Sequence, residues 1–505
     1  MKKLLSCLLL LSTLALHAQV YNNEWIDHNK TYYKFKVGKD GWYRIQGPTL
    51  EAAGLANVPA EHFQLWRNGV EVPIIPFTTG SSATVQHIDF WGKMNDGKAD
   101  RALYRDPAYQ LNDKWSLQTD TATYFLTVNP GGNNKRLVQT ANNVAGNTLP
   151  AEPYFMYTQG RYFKDRLNGG YAINVGQNLF SSSYDKGEGW TSGEITTGNT
   201  NTQAFNDLYV APGGPDAKFK IAVSGNALYP RYARIKINSD SLLRFPFDFY
   251  NYTTDSVSFP SAKIAAGTAN IEVANICNLD SCVTNDRMVI HYYELTYPRQ
   301  FHFGNATSFE FSLPASAAGN YLEIRGFSNP SGSPVRLWDL TNGRIYTGDL
   351  TTPGVVKIVL EPSATPRQLV LHSLAAFNEV GPLQRRQFTD YASASNQADY
   401  LIISNQRLFN GANGSNPVEE YRTYRSSNTG GAFKAKIFEV DELTDQFGFG
   451  IKKHPVAIRN FLMFARHKFA EKPKHVFIIG KGVNYQSYRG NENNPNIELL
   501  NLVPT

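Results

Sequence analysis

The reactive residue types in this chain are few, and most lie far from the partners that chemistry would require. Of three cysteines, Cys7 falls in an apolar leader, and Cys277 and Cys282 flank four residues in the turn "NICNLDSC". Metal ligation or thiol catalysis by that pair needs histidines or several carboxylates nearby, and Asp280 alone is not such a set. A local disulfide closing a loop tip is the reading favoured over both, since an exported protein can oxidise the pair. The run "HVFIIGKGVNYQSYRG", residues 475–490, raises a second chemistry, because a strand entering Gly480-Lys481-Gly482 resembles a phosphate cradle. A Walker loop needs Gly five residues before the Gly of Gly-Lys and Ser or Thr after the lysine; here those places hold His475 and Gly482. A dinucleotide fingerprint also fails, for want of a third glycine and of a helical pattern after it.

Acidic residues cluster in "DFWGKMNDGKADRALYRDP", where Asp89, Asn95, Asp96, Asp100 and Asp106 surround Gly97. The alternating oxygen ligands and closing glutamate of a calcium loop are missing, so a plain turn is expected. The C-terminal segment has no G-x-S-x-G, no H-E-x-x-H and no cysteine. Its histidines are His454, His467 and His475. A helix position for His467, a strand start for His475 and a turn or cap role for His454 are the expected places. These residues therefore specify no catalytic group, no cofactor and no metal.

The elements that would position any site are mostly strands. With 13% aromatic, 42% apolar and only 18% charged residues, the composition favours ordered, strand-rich domains over disorder. The net charge of +6 is thin over 505 residues and gives no nucleic-acid footprint. "MKKLLSCLLLLSTLALHAQ" has the basic start, apolar run and small residues of a secretory signal peptide, assigned to residues 1–18, whose removal would discard Cys7. No later stretch is apolar enough to predict a transmembrane helix.

Residues 19–148 read as a small β domain, with Asn68-Gly69 between apolar runs as its clearest hairpin signal. Alternating strands over 149–298 predict a β-sandwich of jelly-roll character, and 299–385 a smaller sandwich. Sugar binding by the 149–298 module has no support beyond that architecture. At 386 the pattern changes. "DYLIIS" is a continuous apolar strand and "AKIFEV" the next strand. Between them Asn416, Pro417 and Glu419 mark a helix start, and after them "PVAIRNFLMFARHKFA" sets Ile458, Phe461, Leu462, Ala465 and Phe469 on one face. With "HVFIIG" this alternation predicts a parallel α/β sheet. Ligands bind beyond the carboxyl ends of such strands, so Asp445, Phe447, Gly448 and Gly450 after the second strand, and Gly480, Lys481 and Gly482 after the third, are candidate rims of a cleft.

"ADYLIIS", "VDELTDQFGFGIKKHPVAIRNFLMFA", "HVFIIGKG" and "NLVPT" resemble the first half of a gingipain-type cysteine peptidase domain, related in fold to the caspases. The upstream modules, through "WSLQTDTATYFLTV", "DRMVIHYYELTYPRQFHFGNA" and "LPASAAGNYLEIRGF", resemble the N-terminal region of that family's long members, the sortases of the type IX secretion system. The resemblance implies a secreted or outer-surface hydrolase, a cysteine-type endopeptidase or transpeptidase, acting on protein substrates or secreted cargo beside type IX secretion surface components. It also implies that the family's His and Cys follow strands beyond Thr505, which would leave this chain the N-terminal portion of the enzyme, inert as written. The competing expectation is a cell-surface scaffold with a degenerate α/β domain.

Overall fold

The computed structural model describes residues 20–78, 85–181, 183–277, 285–330, 332–373 and 377–505. The leader 1–18 lies outside them. So does Cys282, and with it the expected pairing with Cys277.

Three β modules precede an α/β unit, as the patterning predicts. The first is a sandwich of two sheets, with Gln384–Gln387, Thr31–Val37, Ala122–Val128, Phe63–Arg67 and Val70–Val72 in one and Asn378–Glu379, Gly41–Gln46, Val85–Gly92 and Ile74–Thr78 in the other. Phe35, Ile45, Phe63, Leu65, Ile88, Phe90 and Leu126 fill its core. Asn68 (φ 49°) and Gly69 (φ 73°) make the left-handed pair that a two-residue hairpin requires.

The second module packs Ile195–Thr196, Arg287–Arg299, Ala217–Gly225 and Tyr252–Phe259, with Phe155–Tyr162 also on Arg287–Arg299, against Thr200–Phe205, Ala269–Cys277, Pro230–Ile237 and Asp240–Asp248. Pro230–Ile237 alternates buried and less buried residues along its length, as the period-2 pattern demands. The third module sets His302–Ala306, Asn320–Phe327 and Val355–Leu360 over a sheet of Ser308–Leu313, Arg367–Ser373, Val335–Asp339, Arg344–Thr347 and Val138–Thr140.

Two module boundaries drawn from the sequence need correction. Strands at 378–387 complete both sheets of the first module, and Val138–Thr140 adds to the third through Arg344–Thr347. An open sheet edge accepts whichever strand reaches it, and side-chain alternation does not encode that partner.

In the α/β unit the parallel order is Ala435–Glu439, Tyr400–Ser404, His475–Ile479, with the first strand in the centre. That central strand is buried at every residue. Asn416 caps the Pro417–Ser426 helix by accepting from the Glu419 amide at 3.1 Å, with Pro417 at its first position. Glu419 does not close a capping box; its carboxylate pairs with Arg422 instead. The Val456–Lys468 helix buries Ile458, Phe461 and Ala465 against Phe438, Leu443, Phe447 and Phe469. The third strand differs from the central one. Val476, Phe477 and Ile478 are 44%, 42% and 43% exposed, whereas Leu401, Ile402 and Ile403 are fully buried, so an apolar sheet edge faces solvent.

Two further corrections concern helices. The stretch after the second strand enters the Val440–Phe447 helix at once, because Glu439 ends the strand and caps the helix by accepting from the Asp441 and Glu442 amides. A short helix, Tyr485–Gly490, also follows the Gly480–Gly482 turn, its Asn484 accepting from the Ser487 amide. It has fewer than two turns, too few to register as a periodicity. Among the described residues no helix is long and apolar enough to cross a membrane.

Candidate active site

The carboxyl ends of the three parallel strands are Ser404, Glu439 and Ile479. Ser404 Oγ donates to the Ile479 carbonyl at 3.0 Å, tying the first strand to the third at their exits. Beyond Ile479 the main chain is crossed by residues 501–503. The Leu502 and Val503 amides donate to the Lys481 carbonyl at 2.8 and 3.1 Å, and Asn501 Oδ1 accepts from the Val483 amide. Asn405 Nδ2 and Lys453 Nζ both donate to the Leu502 carbonyl, at 3.1 and 3.0 Å.

This crossing explains the glycines. A Cβ on Gly480 would lie 2.8 Å from Val503 Cγ1, and one on Gly482 would lie 2.8 Å from the Val503 carbonyl oxygen and closer still to the Thr505 side chain. The Gly-Lys-Gly turn is thus shaped by the close approach of residues 502–505, through side chains at Gly480 and through both side chain and main chain at Gly482. Burial lowers the Lys453 ammonium and raises the Glu439 carboxyl from their ordinary values, so both charges at these strand ends are held at some cost.

The other rim candidates lie elsewhere. Asp445 is buried between Lys34 Nζ at 2.7 Å and Arg386 Nη2 at 2.6 Å, both from the first β module. Phe447 packs in the core against Phe461, Phe464 and Tyr391. Gly448 lies where a Cβ would meet Ala457 at 2.9 Å, and Gly450 (φ +70°) offers its carbonyl to Thr123 Oγ1 at 2.6 Å. Lys36 donates to the same Thr123 hydroxyl at 2.7 Å, and burial pushes its ammonium down to about 8. The structure therefore keeps Gly480, Lys481 and Gly482 at the strand exits and assigns Asp445, Phe447, Gly448 and Gly450 to packing and to the seam with the first module. The physical reason is amphipathicity: Leu443 and Phe447, four apart, turn one helical face into the core and leave Asp445 toward the cations.

Of the segment's histidines His454 is buried, whereas His467 and His475 are exposed. His454 is buried, with Nε2 2.9 Å from Asp100 Oδ1 and Nδ1 accepting from the Val456 amide, which makes it a helix-start tether to the first module. His467 Nδ1 meets Tyr21 OH at 3.0 Å, and His475 lies against Tyr400 and Phe433. The acidic cluster disperses likewise. Asp89 pairs with Arg44 at 2.7 Å, Asp96 and Asp106 cap short 3-10 turns, Asn95 donates to the Thr119 carbonyl, and Asp100 receives the Leu117 amide besides His454. No group of three or more His, Cys, Asp and Glu among the described residues could hold a metal ion.

Two arrangements give no local signal in the sequence. Ser224 Oγ and His291 Nε2 lie 2.9 Å apart, but both side chains are fully buried, which removes them from any substrate. Tyr485, just past the strand-exit turn, donates to Glu188 of the second module at 2.5 Å, and Arg489 reaches Asp120 of the first at 2.8 Å. Partners this far apart along the chain have no shared periodicity to reveal them.

Residues 393–505 match the family model described as peptidase family C25, so the gingipain-type resemblance holds over the segment that builds this α/β unit. No curated protein matches the chain. Among solved structures, dimeric latent PorU from Porphyromonas gingivalis superposes with a TM-score of 0.57 at 12% identity, covering 94% of this chain and 44% of that one. At that identity the likeness shows the multidomain fold alone, and the chain spans less than half the length of that structure. A CBM36 carbohydrate-binding module (11% identity, 27% of this chain and 98% of that one, TM-score 0.17) and a family 35 module from Clostridium thermocellum (10%, 27% and 97%, 0.16) match too weakly to bear on ligand or fold.

Proposed function

We propose, from a C-terminal segment of peptidase family C25 seated on three β modules, that this chain is the N-terminal portion of a secreted, outer-surface cysteine endopeptidase or transpeptidase of the type IX secretion sortase group. The observation that carries the reading is the family match over 393–505, on a parallel sheet whose strand exits border Gly480–Lys481–Gly482. The exposed Val476–Phe477–Ile478 edge supports a further strand pairing there. In this reading polypeptide added at that edge supplies a histidine base and a cysteine. The thiolate attacks the scissile carbonyl and expels the amine, and the thioester is resolved by water or by an acceptor amine. The β modules hold the sheet and present protein cargo, and a signal peptide at 1–18 directs export.

The 505 residues alone are inert in this reading, since no cysteine lies in the segment to act as the nucleophile. The test compares this chain with a product extended past Thr505, in a peptide-mixture cleavage assay with and without a thiol alkylator. Alkylator-sensitive cleavage by the extended product alone is expected. Such cleavage by the 505 residues, or an extension lacking a His and Cys pair, overturns it. The second outcome favours a surface scaffold with a degenerate α/β domain, a reading consistent with the lack of a cysteine in the segment.

A further inference from the structure

The Gly480–Gly482 turn continues into the Tyr485–Gly490 helix, and that helix is fastened to the β modules by two side chains. Arg489 lies over the Trp190 ring at 5.3 Å and donates to Asp120 at 2.8 Å. Tyr485, buried among Tyr104, Leu117 and Trp190, donates to Glu188 Oε1 at 2.5 Å. Glu188 stands at the start of the Glu188–Thr191 strand, and its Oε2 accepts from the Asp185 amide at 2.8 Å while its carbonyl accepts from Tyr104 OH at 3.1 Å.

The groups facing this carboxyl are acids and phenols. The turn before it brings Tyr184, Asp185 and Lys186, the short 3-10 helix of the first module brings Asp100, and Tyr104 and Arg105 follow. Asp100 is held by His454, Arg105 pairs with Asp185 at 3.2 Å, Lys186 turns to Asn251 at 2.6 Å, and Arg489 and Lys164 both go to Asp120. Among the described residues no cation pairs with Glu188. Its charge is therefore poorly compensated. Burial pushes the carboxyl up to about 7 from an ordinary 4.5, the Tyr485 and Asp185 hydrogen bonds opposing that rise only in part.

We propose that Glu188 is a positioning residue for the strand-exit turn, a proton-sensitive latch that holds the Tyr485–Gly490 helix, and with it Gly480–Lys481–Gly482, when its carboxyl is neutral and loosens them when it is ionised. The sign follows from linkage. A carboxyl with a raised value in the closed state binds more protons closed than open, so closure is strongest in acid and weakens as pH rises toward 7. Arg489–Asp120 keeps the helix attached, so the latch slackens the turn without releasing it. Its meaning for a cleft rests on the peptidase reading above; the latch itself does not.

The test is hydrogen exchange by mass spectrometry on the full chain between pH 5 and pH 8, corrected for intrinsic exchange. Opening of residues 481–492 is expected to rise by up to roughly 70-fold over that span, with Tyr400–Ser404 unaffected. Glu188→Gln, neutral at every pH, is expected to abolish that dependence and keep the acid-like protection at pH 8. Tyr485→Phe keeps the carboxyl and its pH dependence and is expected to lower protection at pH 5 by roughly tenfold, the worth of one buried hydrogen bond. A wild-type profile flat with pH, a Glu188→Gln profile matching wild type, or unchanged protection in Tyr485→Phe at pH 5 each overturns the proposal. None of these readouts depends on peptide cleavage, so failure of the peptidase reading would leave them standing.

Discussion

Asp445 holds two cations in a site almost closed to water, and both cations belong to the first β module. Removing the carboxylate leaves Lys34 and Arg386 facing one another without a counter-ion, which costs far more than an exposed pair would. Asp445→Ala is expected to destabilise the chain by about 3–5 kcal/mol in urea denaturation. A loss under about 1 kcal/mol would show that water or another acid compensates the pair. The same residue shows why the site was only partly legible. Its place after a strand pointed to a rim, whereas its role is fixed by Lys34, 411 residues away. Gly480 and Gly482 were legible as strand-exit residues, but the reason for them, the close approach of residues 502–505, is a tertiary contact that no local motif announces.

The elements of the C-terminal segment followed closely from pattern because each carries its own local signal. Short, mostly apolar runs gave the three strands, and the cap at Asn416 with Pro417 gave the helix start. Asn416→Ala removes one acceptor for an otherwise unpaired amide and is expected to cost about 1 kcal/mol, read as a lowered urea midpoint with an unchanged denaturant slope. Asn416→Asp should restore most of it, an outcome that packing loss could not produce. Elements without a separating linker or a full period were lost. Val440–Phe447 begins where its strand stops, and Tyr485–Gly490 is too short to show an apolar face. Sheet membership was lost for a different reason: the short strands at 378–387 carry no alternating pattern of their own, and only the open edges of the first module determine where they pair.

At the scale of the whole molecule, buried histidines set one limit on stability and an open sheet edge sets another. Burial depresses His291 to about 3 and His372 to about 4, both below the ordinary 6.5. The folded chain therefore binds fewer protons than the unfolded one in acid, and their contribution is complete above pH 6.5 and lost as pH falls toward 4. For His372 alone this amounts to about 3 kcal/mol. Urea midpoints should fall between pH 7 and pH 4.5 with a slope that His372→Asn reduces; an equal slope in the variant would remove this histidine as a cause. The second limit concerns residues 386–505. Their Val476–Ile478 edge is exposed even in the full chain, and the β modules hold Asp445 through Lys34, His454 through Asp100 and Tyr485 through Glu188. Separated from the modules, the segment would expose an apolar strand edge together with a stripped polar seam, the combination that drives edge-to-edge association. We expect residues 386–505 expressed alone to be recovered largely as aggregate, the full chain to remain soluble, and Phe477→Lys to raise the soluble fraction of the isolated segment by placing a charge on the edge. A monomeric segment that melts cooperatively without the β modules would show instead that the seam contributes nothing essential and that the edge is closed by the segment's own packing.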